Sequence, residues 1–301
     1  MQSLSRGWSF LREAWRMAFK DKDLIKPSIY ALIVGFIVTI IGIIPLIGAA
    51  FLFGGDGTLA GQIAMVVIGA ILIFVHYVVS YIFSGMTVYL IYGYLSEGDG
   101  RMDKAWAKVQ REFWNLISLA AVSTLVSVLT SQMRRGQNRR GGAGLVGGAL
   151  GGLIDAVWTQ ASYLILPAMM IEDANLSTGV KRATQIAKGN LLLIGVSTVG
   201  VRWITGLISF VLGVVGLVIG LVVGIGLISL FNSSTVAIVI GIGLGALIFF
   251  AFAMVAGVIS SYTMTAYNTC LFLWARDVEK AQAQGSSIQV AAPAPLAAAL
   301  V

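Results

Sequence analysis

Residues 203–275 read WITGLISFVLGVVGLVIGLVVGIGLISLFNSSTVAIVIGIGLGALIFFAFAMVAGVISSYTMTAYNTCLFLWA, 73 uncharged positions between Arg202 and Arg276. A bilayer core about 30 Å thick needs about 20 helical residues, so the run is long enough for two crossings. Asn232-Ser233-Ser234-Thr235 supplies a polar turn that divides it. The apolar character is continuous and does not alternate, which fits helices and not barrel strands. Lipid satisfies no open backbone group, so the spanning form is a helix.

Working outward, further charge-free intervals run from Lys26 to Asp56 (29 residues), Asp56 to Glu97 (40), Glu112 to Arg134 (21), Arg140 to Asp155 (14) and Asp155 to Glu172 (16). Six spans follow: Ser28–Phe53, Ala60–Leu95, Phe113–Thr130, Val146–Ile171, Leu191–Phe231 and Ala237–Trp274. The second, fifth and sixth exceed one bilayer thickness, so they must tilt, break or project beyond the lipid. Arg202-Trp203 suggests a snorkelling cation beside an aromatic belt residue, with Leu191–Val201 at the interface; a buried gating charge is the alternative. The expected fold is an all-α, polytopic transmembrane helix bundle occupying residues 1–277. Residues 278–301 read as a disordered cytoplasmic tail, because Ala-Gln-Ala-Gln-Gly-Ser-Ser and Ala-Ala-Pro-Ala-Pro are low in complexity.

Composition agrees. Of 301 residues, 58% are apolar and 11% charged, against about 25% charged in soluble domains. One Cys (Cys270) and one His (His76) exclude a disulfide framework and a multi-His or Cys-based metal site. No cofactor is expected. The pI of 9.6 reflects basic residues spread over several loops, and so points to anionic lipid and not to nucleic acid.

The linkers before the odd spans repeat a pattern. Ser3–Lys20 places Trp8, Leu11, Trp15 and Phe19 on one helical face and Arg12, Arg16 and Lys20 on another. Arg101–Glu112 groups Met102, Ala105, Trp106 and Val109, with Lys104, Lys108 and Arg111 opposite. Ser177–Gly189 groups Val180, Ala183 and Ile186, with Lys181, Arg182, Gln185 and Lys188 elsewhere. Each is a basic amphipathic helix suited to the membrane interface. A gapless offset of 75 matches Glu97 to Glu172, Gln110 to Gln185, Asn115 to Asn190 and Leu116 to Leu191. The unit is an interfacial helix, a span out and a span back. Three parallel hairpin repeats would be related by a pseudo-threefold axis along the membrane normal.

The segment Leu164-Ile165-Leu166-Pro167-Ala168-Met169-Met170-Ile171-Glu172-Asp173, with Gly179-Val180-Lys181-Arg182-Ala183 and Lys188-Gly189-Asn190, resembles an uncharacterised prokaryotic family of six-helix integral membrane proteins. That family is similar to the membrane domain of some glycerophosphodiester phosphodiesterases. The resemblance implies six helices with interfacial linkers and supplies no catalytic residue.

Intramembrane polar candidates are His76, Asp155 and Arg202. His76 is either satisfied by a hydroxyl or carbonyl or shares a proton relay with Asp155. Asp155 is also placed to pair with the arginines of the loop 131–142: Arg134, Arg135, Arg139 and Arg140. Glycines step by four at Gly216, Gly220 and Gly224 and at Gly241 and Gly245. Such ladders let helix backbones approach, within the chain or between copies. The even spans end in aromatic and polar residues: Tyr89, Tyr92 and Tyr94; Trp158 and Tyr163; Tyr262, Tyr267, Asn268 and Trp274. These form an interfacial belt, or a cytoplasmic pocket where the three ends meet.

No nucleophile elbow or intramembrane carboxylate pair is present, so no enzyme is expected. The leading reading is a multi-pass protein that organises lipids or partner membrane proteins, or self-associates. Arg12, Arg16, Lys20, Lys104, Lys108, Lys181 and Arg182 would meet anionic head groups. The alternative is a transporter or channel for an apolar or lipid-like substrate, which a cavity among spans two, four and six would favour.

Orientation follows from positive charge. With both termini inside a prokaryotic cytoplasmic membrane, six Lys/Arg in 1–27, four in 96–112, three in 172–190 and two in the tail make 15 inside, against four in the loop 131–142. That loop is expected outside. A Gln137→Cys variant in a Cys270→Ser background should therefore react with a membrane-impermeant maleimide on intact cells. Reaction only after permeabilisation would reverse the assignment.

Overall fold

The computed structural model describes residues 2–54, 57–135, 143–189, 191–230, 235–284 and 290–300. Its elements are α1 (Gln2–Lys20), a 3-10 turn (Lys22–Leu24), α2 (Lys26–Phe53), α3 (Leu59–Glu97), α4 (Met102–Arg111), α5 (Phe113–Arg135), α6 (Ala143–Glu172), α7 (Leu176–Gly189), α8 (Leu191–Leu230), α9 (Thr235–Ala283) and α10 (Ala294–Leu300). The described residues contain no strand. Six of the helices are long and apolar enough to cross a membrane. The chain is an all-α, multi-pass membrane bundle.

Local chemistry sets the boundaries. Pro27 opens α2, where a missing N–H costs nothing. Gly54 ends it at φ 77°, and Thr58 caps α3 by accepting from the Gly61 N–H at 3.0 Å. Gly98, at φ 81°, ends α3. The Asp21 carboxylate then binds both the Asp23 N–H and, at 2.8 Å, the Gly100 N–H. One side chain thereby ties the α1–α2 junction to the α3–α4 junction.

The helices pack as hairpins, α2 on α3, α5 on α6 and α8 on α9, while α3, α6 and α9 also touch pairwise. Every even span therefore lines a common axis. α2 lies against both α3 and α9, and α5 against both α3 and α6. α4 rests on α3, α7 on α6, and α1 on α8 and α9. Each amphipathic helix thus sits on the hairpin preceding its own in cyclic order, the connectivity of three units around an axis. α8 departs from it, leaning on α9 and α1.

The overlong helices run unbroken. α9 has 49 residues, roughly 70 Å at 1.5 Å per residue, and its charged end at Arg276, Asp277, Glu279 and Lys280 projects past the apolar stretch. Packing is concentrated at the base, where α1, α4 and α7 lie. Tyr262, Tyr267, Phe272, Leu90, Ile91, Leu164, Ile165 and Met169 are all fully buried there. The most apolar windows of α2 and α3 have no buried residue, so towards the hairpin tips side chains meet lipid.

Two sequence expectations change. α1 buries Gly7, Phe10, Leu11, Ala14, Met17 and Ala18, while Trp8 and Phe19 point outward. It is a packed element, held by the Tyr262 hydroxyl donating to Ala14 O at 3.0 Å and the Trp15 indole donating to Thr263 Oγ1 at 3.2 Å. The tail, expected to be disordered, carries α10 on α1; Leu296 is fully buried and Trp274 donates to Val290 O at 3.1 Å. The helix-favouring Leu-Ala-Ala-Ala-Leu run follows the Ala-Pro repeat, and Leu296 gains burial on an α1 face that composition does not reveal.

The α8–α9 glycines meet face to face. A Cβ on Gly220 would stand 2.5 Å from Gly245 O, and one on Gly241 2.6 Å from Gly224 O; at Gly216 it would meet Phe252 Cβ at 2.6 Å. Gly220→Leu should therefore lower stability by about 1–3 kcal/mol. Gly226→Leu, where nothing lies within 4 Å, should change it little. Thermal melting in detergent checks this; equal losses would remove the ladder from the account.

Candidate functional site: a hydroxyl-lined chamber among the even spans

In α3, Tyr77, Ser80, Tyr81 and Ser84 share one face by their i, i+3, i+4, i+7 spacing. In α6, Trp158, Thr159, Ser162 and Tyr163 share a face at i, i+1, i+4 and i+5, and in α9 Gly257, Ser260, Ser261 and Thr265 at i, i+3, i+4 and i+8. Hydroxyls in lipid gain nothing by facing it, so the three faces turn to the axis. There they enclose a chamber of about 350 Å³, closed below by Leu166 and the basal core.

Its walls are fixed from behind. Ser123 of α5 is fully buried, accepts from the Trp158 indole at 2.9 Å and bonds the Tyr81 hydroxyl at 2.7 Å. Tyr77 and Tyr81 stack, with centroids 5.8 Å apart. On the α6–α9 side, the Gln160 amide donates to Asn268 Oδ1 at 3.2 Å, while buried Gln160 Oε1 has no partner.

A second cavity, about 400 Å³ and almost wholly apolar, lies where α2, α3 and α9 meet. Leu32, Phe36, Val79, Phe250 and Met254 form most of it, and His76 and Ser28 border it. Ser80 and Ser261 line both cavities, so the volumes adjoin. Both fall within the ~300–1,000 Å³ typical of ligand sites.

His76 Nδ1 lies 3.0 Å from Leu72 O, which only accepts, so that nitrogen carries the hydrogen. Nε2 is 2.9 Å from Thr39 Oγ1, joining α3 to α2. Asp155 instead pairs with Arg134 at 3.0 Å. Among the described residues no hydrogen bond joins His76 to Asp155. The side chain of Arg135 lies outside the described residues, as do Arg139 and Arg140. Arg202 is exposed beside exposed Trp203.

The basic residues divide. Lys108 is buried, and its amine binds Asp173 and, at 3.4 Å, buried Glu112; Arg111 also meets Asp173. Arg182 bridges Glu172 at 3.0 Å and Glu279 at 2.5 Å. These two residues join α4, α6, α7 and α9 and do not face outward. Arg16 pairs with Glu13, and Lys104 with Glu97. Arg12, Lys20 and Lys181 are exposed without ion pairs among the described residues. Tyr89 and Tyr92 border only a shallow recess, and Tyr262 and Tyr267 belong to the core.

The chamber residues Tyr77, Ser80, Tyr81, Ser84, Thr159, Ser162, Ser260 and Ser261 were not singled out from sequence. Their helical spacing on three alternate spans was the available signal.

No protein-family model and no curated protein sequence matches the chain.

The Lys108 hydrogen bond holds the Asp173 carboxyl below the usual carboxylate range, with its slight burial opposing and contacts to Glu112 and Arg111 adding. A depressed carboxyl stabilises the fold above its unfolded pKa, near 3.9, and that stability is lost as pH falls through the folded value. Acidification below about pH 4 should lower the melting temperature of the wild type more than that of Asp173→Asn. Asn also tolerates the left-handed backbone found here, φ 55°. Parallel acid profiles for the two proteins would count against this role.

Proposed function

We propose that the protein is a non-enzymatic carrier for a lipid-like molecule, which enters the chamber among α3, α6 and α9 from the membrane. The observation that carries this reading is the junction at Ser80 and Ser261 between a hydroxyl-lined chamber and an apolar groove among spanning helices. The chamber lining is hydroxyl, aromatic and aliphatic, groups that bind and orient. A carrier fits better than a channel because Leu166, Met169 and Met170 fill the space beneath the chamber. The charge count puts the packed base in the cytoplasm, where Arg12, Lys20 and Lys181 would meet anionic head groups, each worth about 1 kcal/mol.

Ser261→Phe should plug the junction, whereas Leu247→Phe changes only an outward-facing position. Protein released from lipid nanodiscs into a mass spectrometer should retain a lipid-sized adduct as wild type and as Leu247→Phe, and lose it as Ser261→Phe. An adduct absent from the wild type, or unchanged in Ser261→Phe, would defeat the proposal.

A further inference from the structure

Resting on that reading, we infer that the occupant is an amphiphile with an uncharged, hydroxyl-bearing head, its head in the chamber and its aliphatic chain in the α2–α3–α9 groove. The head chemistry follows from what lines the chamber. Ser80, Ser84, Thr159, Ser260 and Ser261 offer hydroxyls, each able to donate once and accept twice. A head rich in hydroxyls has the same two-way capacity and can match that lining bond for bond.

A charged head has no such match. Burying an ion away from water demands a counter-charge, and among the described residues no acidic or basic side chain lines the chamber. Arg202 and Asp155 do not line the chamber. Asp155 is neutralised by Arg134, and Arg202 is exposed beside Trp203. Neither reaches into the cavity.

The chain follows from the groove. Leu32, Phe36, Phe250 and Met254 present an apolar trough that adjoins the chamber at Ser80 and Ser261. Gly257 lines the chamber and Leu32 the trough, and the two are in close contact, since a Cβ on Gly257 would stand 2.9 Å from the Leu32 side chain. A free polyol would leave the trough unfilled, and a plain hydrocarbon would strip water from the hydroxyls without replacing it.

The test uses the full chain in nanodiscs of one fixed lipid, titrated with probes sharing one alkyl chain: a monoacylglycerol, the fatty-acid anion, an alkyltrimethylammonium and the bare alkane. Quenching of tryptophan fluorescence by brominated versions of the chain reports binding. The monoacylglycerol should bind about tenfold or more tightly than either charged probe and the alkane. Ser80→Ala/Ser84→Ala/Ser261→Ala, which leaves the apolar packing in place, should erase that preference while keeping chain binding. Phe250→Ala should weaken all chain-bearing probes together. A charged probe binding as tightly as the monoacylglycerol would overturn the head assignment alone, leaving the carrier reading intact. Saturable binding of none of the probes would overturn both.

Discussion

Lipid offers a hydroxyl nothing to bond to, and the fold depends on that constraint. Each even span carries hydroxyls along one face, at 77–84 in α3, 159–163 in α6 and 260–265 in α9. Serine and threonine can donate to the carbonyl four residues back, as Ser162 does to Trp158 O, but turning those faces outward would forfeit the remaining bonds between helices, each worth about 1 kcal/mol. Turning them inward places all three helices on one axis and relegates the odd spans to the outside. The same constraint explains the behind-the-wall bonds. Ser123 is buried where Tyr81 and Trp158 need a partner, so one α5 hydroxyl satisfies two walls.

The basal helices make the arrangement specific. Apolar packing alone chooses poorly among neighbours inside lipid, because lipid tails are as apolar as leucine. Polar contacts choose better. Tyr262 and Trp15 fix α1 to the third hairpin, Asp21 fixes the first linker to the second, and Lys108 with Asp173 fixes the second to the third. Every hairpin is thereby held to its neighbour through chain segments at the base. Lys108 shows why such contacts are costly to disturb: removing its amine would leave buried Glu112 with only the longer contact to exposed Arg111, at 3.5 Å.

The architecture was legible in the sequence wherever length and charge decide it. The turns at 54–57 and 232–235 and the charge-free runs give six helices, and the basic linkers give the repeat. The buried faces of α4 and α7 were legible, since Ala105 and Val109, and Ala183 and Ile186, are buried as their spacing suggests; that of α1 was legible only in part. In α1 the bulky Trp8 and Phe19 stay outside, while Gly7, Phe10, Leu11, Ala14, Met17 and Ala18 form the buried side. Position 7 takes glycine because a Cβ there would stand 2.6 Å from Gly200 O. Lys108 was read as outward because isolated helices place charge in water; its inward position needs Glu112 and Asp173, which only the fold assembles. A cavity among spans two, four and six was raised as a possibility, but its hydroxyl lining was not legible: a serine in a span is unremarkable alone, and becomes a site when two other spans place theirs opposite.

Departure from the threefold arrangement locates flexibility and access. α2 and α5 each cover a seam between even spans, but α8 leans on α9 and α1. The glycine ladder explains the preference, because backbone contact at Gly220 and Gly245 holds α8 to α9 more closely than bulky side chains would allow. Above the chamber, apolar side chains such as Ile44, Phe51, Val67, Val222 and Val239 face outward. Separating the helices there exchanges protein contacts for lipid contacts of similar polarity and exposes no apolar surface to water. Separating them at the base would break ion pairs and expose Phe10, Tyr267 and Phe272, which pack together there. The physical asymmetry is therefore a base held by ion pairs and buried aromatics beneath a half whose side chains face the membrane, with the chamber at the boundary between the two.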